Sequence, residues 1–185
     1  MKRLDPKRSA IVVIDVQEKL AAAMPEERMK DLTRAATVLI EAADALGARV
    51  IATEQYPAGL GRTIAPIASG LAKLGAPVIE KIDFSAPDEV AFERAWAGLA
   101  PHAAIVLGME THVCVWQTVR ELCARGTNVH VVVDGVASRR DDHRAVGLEL
   151  CRSAGATLTT METVVFDWLG RAGGDVFKRL SKLIR

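Results

Sequence analysis

The chain has little cysteine, no long apolar run and almost no net charge, and each shortage excludes a class of protein. Its three cysteines, Cys114, Cys123 and Cys151, are too few and odd in number for a disulfide framework. A reducing compartment, the cytoplasm, is therefore expected. No apolar stretch reaches the ~18 residues of a membrane-spanning helix. The N-terminal MKRLDPKRSA is polar and the apolar run behind it ends at Asp15, so it does not read as a signal peptide. With 24 Lys and Arg against 23 Asp and Glu the net charge is +1, and no electrostatic pull toward nucleic acid or a membrane surface is expected. Four histidines, His102, His112, His130 and His143, show no pair at metal-ligand spacing. The first apolar run is followed by neither a dinucleotide fingerprint nor a Walker loop, and Gly59-Leu60-Gly61 stands alone.

What is present is a folding chain of 185 residues, 50% hydrophobic and 25% charged, expected to form one domain over 1–185. Short apolar runs at 10–15, 49–53, 77–80, 103–107, 128–133 and 156–159 alternate with helical patterns at 28–46, 88–98, 112–125 and 141–154. Continuous apolar runs of that length read as parallel strands buried on both faces. The alternation predicts a three-layer αβα sandwich around a doubly wound, mainly parallel sheet of about six strands, Rossmann-like, in the order 3-2-1-4-5-6. Its ligand crevice opens at the carboxyl edge, where strands 1 and 4 diverge. The polar connection from Glu54 to Gly61 leaves strand 2 at that edge.

Three chemically distinct side chains converge there. Asp15 ends strand 1, and reads either as a helix N-cap or as a buried carboxylate in need of a partner. Lys81 ends strand 3, and reads either as a snorkelling surface lysine or as a charge partner for Asp15. Cys114 follows strand 4. With Thr111 as N-cap it becomes the third helical residue, beside free N–H groups and the positive helix end. That setting, with Lys81, is expected to bring the thiol below ~7.5. Cys123 and Cys151 read as core filler, and Cys123 faces away from Cys114 at ~100° per helical residue. A thiol, an amine and a carboxylate at one crevice are the minimum for thiolate attack on a carbonyl carbon.

These residues resemble a known family. Val13-Ile14-Asp15-Val16-Gln17, Lys81 with Phe84-Ser85, and Gly108-Met109-Glu110-Thr111-His112-Val113-Cys114-Val115 are similar to the isochorismatase-like cysteine hydrolases, over essentially the whole chain. Thr53 to Gly61, Val133 to Arg139 and the tail Phe177 to Leu183 look like the subgroup called isochorismatase domain-containing proteins. The resemblance implies that Asp15 accepts the thiol proton, that Lys81 stabilises the thiolate and orients Asp15, and that Cys114 attacks. It also implies a cis Met109–Glu110 peptide and an oxyanion hole made by the backbone N–H groups of Glu110 and Cys114. Nicotinamidases in this family hold a metal through an Asp-x-His pair after strand 2. Here that position reads Thr53-Glu54-Gln55-Tyr56, so no metal and no cofactor are expected, and nicotinamide is disfavoured as substrate. Isochorismatases proper cleave a vinyl ether without a cysteine nucleophile, so Cys114 makes ether hydrolysis the lesser alternative.

The expected activity is cofactor-independent hydrolysis of a C–N bond in a small carboxamide or N-carbamoyl compound, through a thioester at Cys114. Tyr56, Phe84 and Trp116 are candidates for an apolar pocket wall, although Trp116 turns away from Cys114 by ~200° along the helix. Gln17, His112 and Arg139 are candidates for polar contacts, with Arg139 either gripping a substrate carboxylate bidentately or simply solvated. The alternatives are a binding or assembly protein that keeps the fold without turnover, and redox sensing through Cys114. The resemblance also implies a homo-oligomer, a dimer or larger, with Phe166, Trp168, Leu169 and Phe177 as apolar contacts.

Overall fold

Strands buried on both faces need apolar side chains at every position, and β1 (Ser9–Ile14) is buried along its whole length. Ile11 and Val13 enter one core while Val12 and Ile14 enter the other. The computed structural model describes residues 3–184; Met1, Lys2 and Arg185, at the ends of the expected domain, lie outside the described residues. The remaining strands are β2 (Arg49–Gln55), β3 (Val78–Lys81), β4 (Ala103–Met109), β5 (Asn128–Ala137) and β6 (Thr157–Thr159). They form one sheet in the order β3-β2-β1-β4-β5-β6, with every neighbouring pair parallel. The doubly wound order expected from the sequence is therefore found, and the sheet is parallel throughout.

The helices are α1 (Glu18–Ala22), α2 (Glu26–Leu46), α3 (Pro57–Leu60), α4 (Ala65–Leu74), α5 (Val90–Leu99), α6 (Trp116–Ala124), α7 (Asp141–Ser153), α8 (Met161–Leu169) and α9 (Gly174–Ile184). Leu32 and Leu39 of α2, Leu71 of α4 and Val164 and Trp168 of α8 build one core. Phe92 of α5, Val119 and Leu122 of α6 and Cys151 of α7 build the other. Gly47 ends α2 in the left-handed region at φ 78°, as the stop residue after the 28–46 pattern should.

Four differences from the sequence expectation have local causes. Helix α4 is short and buries just Ile67 and Leu71, a stripe of one turn, and α3 is a single turn too short to show a period. Strand β5 runs on past Val133 because its register slips: Val131 lies opposite Val106, but Val136 lies opposite Gly108. Asp134-Gly135 interrupts the apolar pattern there and looks like a loop. The C-terminal apolar residues divide, since Trp168 and Leu169 pack into the core while Phe166 and Phe177 face each other with ring centroids 6.4 Å apart.

Two glycines govern how closely the elements approach the carboxyl edge. At Gly108 (φ 129°) an added Cβ would stand 2.1 Å from the Ile14 carbonyl oxygen, so β4 can pass β1 here only without a side chain. On α7, a Cβ at Gly147 would stand 2.7 Å from the His112 nitrogen and 2.8 Å from the Thr111 carbonyl carbon. Gly147→Ala gains about 1 kcal/mol of helix propensity, but the overpacking against fixed backbone costs about 1–3 kcal/mol. Thermal denaturation is expected to show a net loss of stability, and an unchanged or raised Tm would refute the close packing.

Candidate active site

The carboxyl ends of β1, β2, β3 and β4 enclose a charged pair shut off from water. Asp15 follows β1 with φ 51°, a left-handed conformation rare for a residue with a side chain. Its N–H donates to the Thr53 carbonyl at 3.1 Å and its carbonyl accepts the Gln17 N–H at 2.8 Å, so the chain turns sharply. The turn buries the carboxylate: Oδ1 accepts the Thr53 hydroxyl at 2.7 Å, and Oδ2 lies 2.8 Å from Lys81 Nζ. Asp15 is not a helix cap, because the N-cap of α1 is Gln17. Nor is Lys81 a snorkelling lysine, since its side chain is 0% exposed. Its ammonium also donates to Gln55 Oε1 at 2.6 Å and to the carbonyls of Asp83 and Phe84, each at 3.2 Å.

Cys114 is buried, and the charges of both members of the pair act on its thiol. Burial pushes the thiol up to about 12, the Asp15 carboxylate adds to the rise, and Lys81 opposes it. This overturns the expected value below ~7.5, for two physical reasons. Desolvation penalises the thiolate, and the helix end is not where the sequence puts it. Thr111–Val115 forms a wide, π-type turn whose N-cap position is Glu110, and α6 begins only at Trp116. Thr111 does not cap: its hydroxyl donates to the Ala137 carbonyl at 3.0 Å and its N–H to Ser138 Oγ at 3.2 Å. The Met109–Glu110 peptide is cis. The Glu110 N–H donates to no acceptor among the described residues.

The six remaining candidates fare differently. Gln17 is fully buried, with Nε2 donating to the carbonyls of Gln55 at 3.0 Å and Gly61 at 2.7 Å, and Oε1 accepting the Gln55 N–H at 2.7 Å. Its amide thus braces the loop after β2, both of its protons being given to that loop's carbonyls. Arg139 is engaged as well: Nη2 lies 3.1 Å from Glu110 Oε1 and Nε donates to both Glu110 oxygens at 3.2 Å. The fork expected to grip a substrate carboxylate is thus occupied by one from the protein. His112 is half-buried, with Nδ1 3.1 Å from Ser138 Oγ and its ring 4.7 Å from that of His143. Burial holds its pKa below the usual value; the Glu110 carboxylate opposes that fall, and His143 and Arg139 add to it.

Tyr56 and Phe84 are exposed at the rim. Trp116 is half-buried against the core formed with α5 and α6, and carries the Arg120 guanidinium 5.7 Å from its ring centroid, so it serves packing rather than the pocket wall. Beside β3 a cavity of about 210 Å³ is bounded by Tyr56, Pro57, Glu80, Lys81, Ile82 and Glu89, among others.

Sequence reasoning missed Thr53, Gln55, Ser138 and the carboxylate of Glu110. A run of polar residues ending an otherwise apolar strand, Thr53-Glu54-Gln55, was the available signal for the first two. Glu54 is buried too, accepting from the Thr63 N–H and hydroxyl at 2.7 Å each and from Arg62 at 2.8 Å. Burial alone would raise its pKa, but these donors outweigh it and hold the carboxyl below its usual range. Among the described residues no three His, Cys, Asp or Glu side chains gather at metal-binding distance.

The chain carries a carboxylate, an ammonium and a thiol at the crevice of its doubly wound sheet. It belongs to the isochorismatase family, whose isochorismatase-domain model matches residues 9–163. Isochorismatase domain-containing protein 2 of Bos taurus is 32% identical over 183 residues, covering 99% of this chain and 86% of the relative. A structure described as MAR1 ribonuclease from Caenorhabditis elegans superposes with a TM-score of 0.90 at 38% identity, covering 99% and 92% of the two chains. The YcaC protein of Escherichia coli, described as an octameric hydrolase of unknown specificity, shares the fold with a TM-score of 0.90 at 22% identity, covering 98% and 89%.

Removing one partner of a buried ion pair leaves an uncompensated charge and costs about 3–5 kcal/mol. Asp15→Asn and Lys81→Met are each expected to lower stability by that order in denaturant titration, and the double variant to recover much of it; additive losses would rule out the pairing. Asp15→Asn should also shift the pH midpoint of Cys114 alkylation downward, because a charge that raises the thiol pKa is gone. In the wild type the rate should still be climbing at about pH 9, above the ordinary cysteine range.

Proposed function

We propose that this chain is a cofactor-independent cysteine hydrolase cleaving a C–N bond of a small carboxamide or N-carbamoyl compound through a thioester at Cys114. The observation that carries the reading is a buried thiol under the influence of a fully buried carboxylate–ammonium pair, in which Asp15 Oδ2 faces Lys81 at 2.8 Å and accepts no hydrogen bond among the described residues. A thiol pushed up to about 12 is protonated at rest, so its proton must leave as attack proceeds, and Asp15 is the base beside it.

In the first step the Cys114 Sγ–C bond forms, the thiol proton passes to Asp15, and the carbonyl oxygen becomes an oxyanion facing the N–H groups of Glu110 and Cys114. Collapse breaks the C–N bond, Asp15 returns the proton to the leaving nitrogen, and ammonia or an amine departs. Water then attacks the thioester with Asp15 taking its proton. The C–S bond breaks, the acid or carbamate leaves, and the thiol is restored. Throughout, Lys81 keeps a positive charge against Asp15 and the sulfur, favouring the anionic forms through which the reaction passes.

The ribonuclease description of the nematode relative names a second possible substrate class. Asp83, Asp88 and Glu89 follow Lys81 and present carboxylates to an approaching polyanion, whereas the nearby Glu80 is paired with Arg62, which favours the small-molecule reading. The exposed Ile82, Phe84 and Val90 beside the site supply apolar area for self-association as a dimer or larger.

Intact-mass measurement on the wild type and Cys114→Ala, with small amides, N-carbamoyl compounds and esters, tests the reaction. An adduct on the wild type alone, decaying as ammonia appears, is expected, with turnover in Cys114→Ala lost while folding is kept. Hydrolysis retained by Cys114→Ala would remove the covalent route. Silence across the panel together with RNA cleavage would move the assignment to the second class.

A further inference from the structure

The three residues that end and follow β5 form a mould for the turn that carries Cys114. Ala137 supplies its carbonyl to the Thr111 hydroxyl, Ser138 its hydroxyl to the Thr111 N–H and the His112 ring, and Arg139 both main chain and side chain to Glu110. The last contact differs in kind. The Arg139 N–H donates to Glu110 Oε2 at 3.0 Å, while Nε and Nη2 approach the same carboxylate at 3.1–3.2 Å. The Glu110 side chain is 8% exposed and that of Arg139 61%. A buried carboxylate is thus clamped from three nitrogens of one residue.

Resting on the reading of the site given above, we propose that Arg139 is a positioning residue that aims the Glu110 N–H at the oxyanion and neutralises the Glu110 carboxylate beside it. Two observations support this. The Glu110 N–H is free of protein acceptors among the described residues, so its direction is set by what holds the rest of Glu110. An unpaired carboxylate on the residue that must greet a developing negative charge would also repel that charge, and in a site with little water the repulsion is weakly screened. Arg139 meets both needs, holding the plane of the carboxylate with a fork and supplying the opposite charge. It acts through Glu110 and touches no reacting atom.

The pairing predicts a pattern that a substrate-gripping arginine would not produce. Arg139→Ala should lower kcat for neutral amides about 10–100-fold, somewhat below the loss of a whole oxyanion donor, with KM little changed. Arg139→Lys should retain part of the rate, since charge survives without the fork. Glu110→Gln introduced into Arg139→Ala should restore part of the lost kcat, because the uncompensated charge is removed while the main-chain N–H at position 139 can still hold the amide oxygen.

The measurement is kcat and KM for the wild type, Arg139→Ala, Arg139→Lys and the double variant. Neutral and carboxylate-bearing amides are compared, with melting curves confirming folding. An Arg139→Ala effect confined to the KM of carboxylate-bearing amides would overturn the clamp in favour of substrate binding. A double variant no faster than Arg139→Ala would overturn charge neutralisation. If the wild type acylates Cys114 with no substrate, the reading of the reaction falls and this inference falls with it; if the wild type acylates and Arg139→Ala does so equally fast, only the inference falls.

Discussion

The ion pair between Asp15 and Lys81 organises everything around it. Moving a carboxylate and an ammonium out of water costs several kcal/mol per ion even after relaxation, and the protein offsets that cost with geometry. Asp15 receives the Thr53 hydroxyl, and Lys81 spends its donors on Gln55, Asp83, Phe84 and the carboxylate itself. Those demands dictate the path of three loops. The sharp turn at Asp15, the inward Gln55 at the end of β2 and the folded-back carbonyls after β3 are all shapes the chain takes so that the buried charges are met. The thiol is then added to a site whose two charges pull on it in opposite directions, so that its burial is what keeps it protonated.

The nucleophile turn is made on a different principle. It has no charge at its centre and is shaped by close approach: Gly147 lets α7 lie on its backbone, and the residues after β5 hold it from the other side. The irregular register of β5 serves this arrangement, since it brings Ala137 opposite Met109 in spite of the extra residues. Arg144 makes the irregularity tolerable by donating to the carbonyls of Val136 and Val133, groups that the interrupted ladder would otherwise leave unpaired.

The sheet and its order were legible because each strand must be apolar on two faces, and only a few connections of such strands are right-handed and unknotted. Asp15, Lys81 and Cys114 were legible for the opposite reason, each breaking an apolar pattern at the same edge. What could not be read was how hydrogen bonds are shared. Gln17, Gln55 and Arg139 are all polar groups near the crevice, and nothing in residue type says that Gln17 and Arg139 are satisfied by the protein while Gln55 serves Lys81. The error at Cys114 is similar: a helix start seen in sequence carries no information about how deeply that start is buried, and burial decides the thiol.

The loop after β2 has a consequence for how this chain can diverge. Gln17 ties both ends of the loop, Gln55 and Gly61, and also bridges to Thr63, while Glu54 holds Thr63 and Arg62. A segment braced at so many points can exchange its outward side chains, Ala58 or Leu60 for instance, with little penalty. Adding or removing a residue would throw every brace out of step at once. Lineages descending from such a chain should therefore alter its preference through point replacements at fixed loop length, and a relative with a longer loop here should have lost the glutamine that spans it.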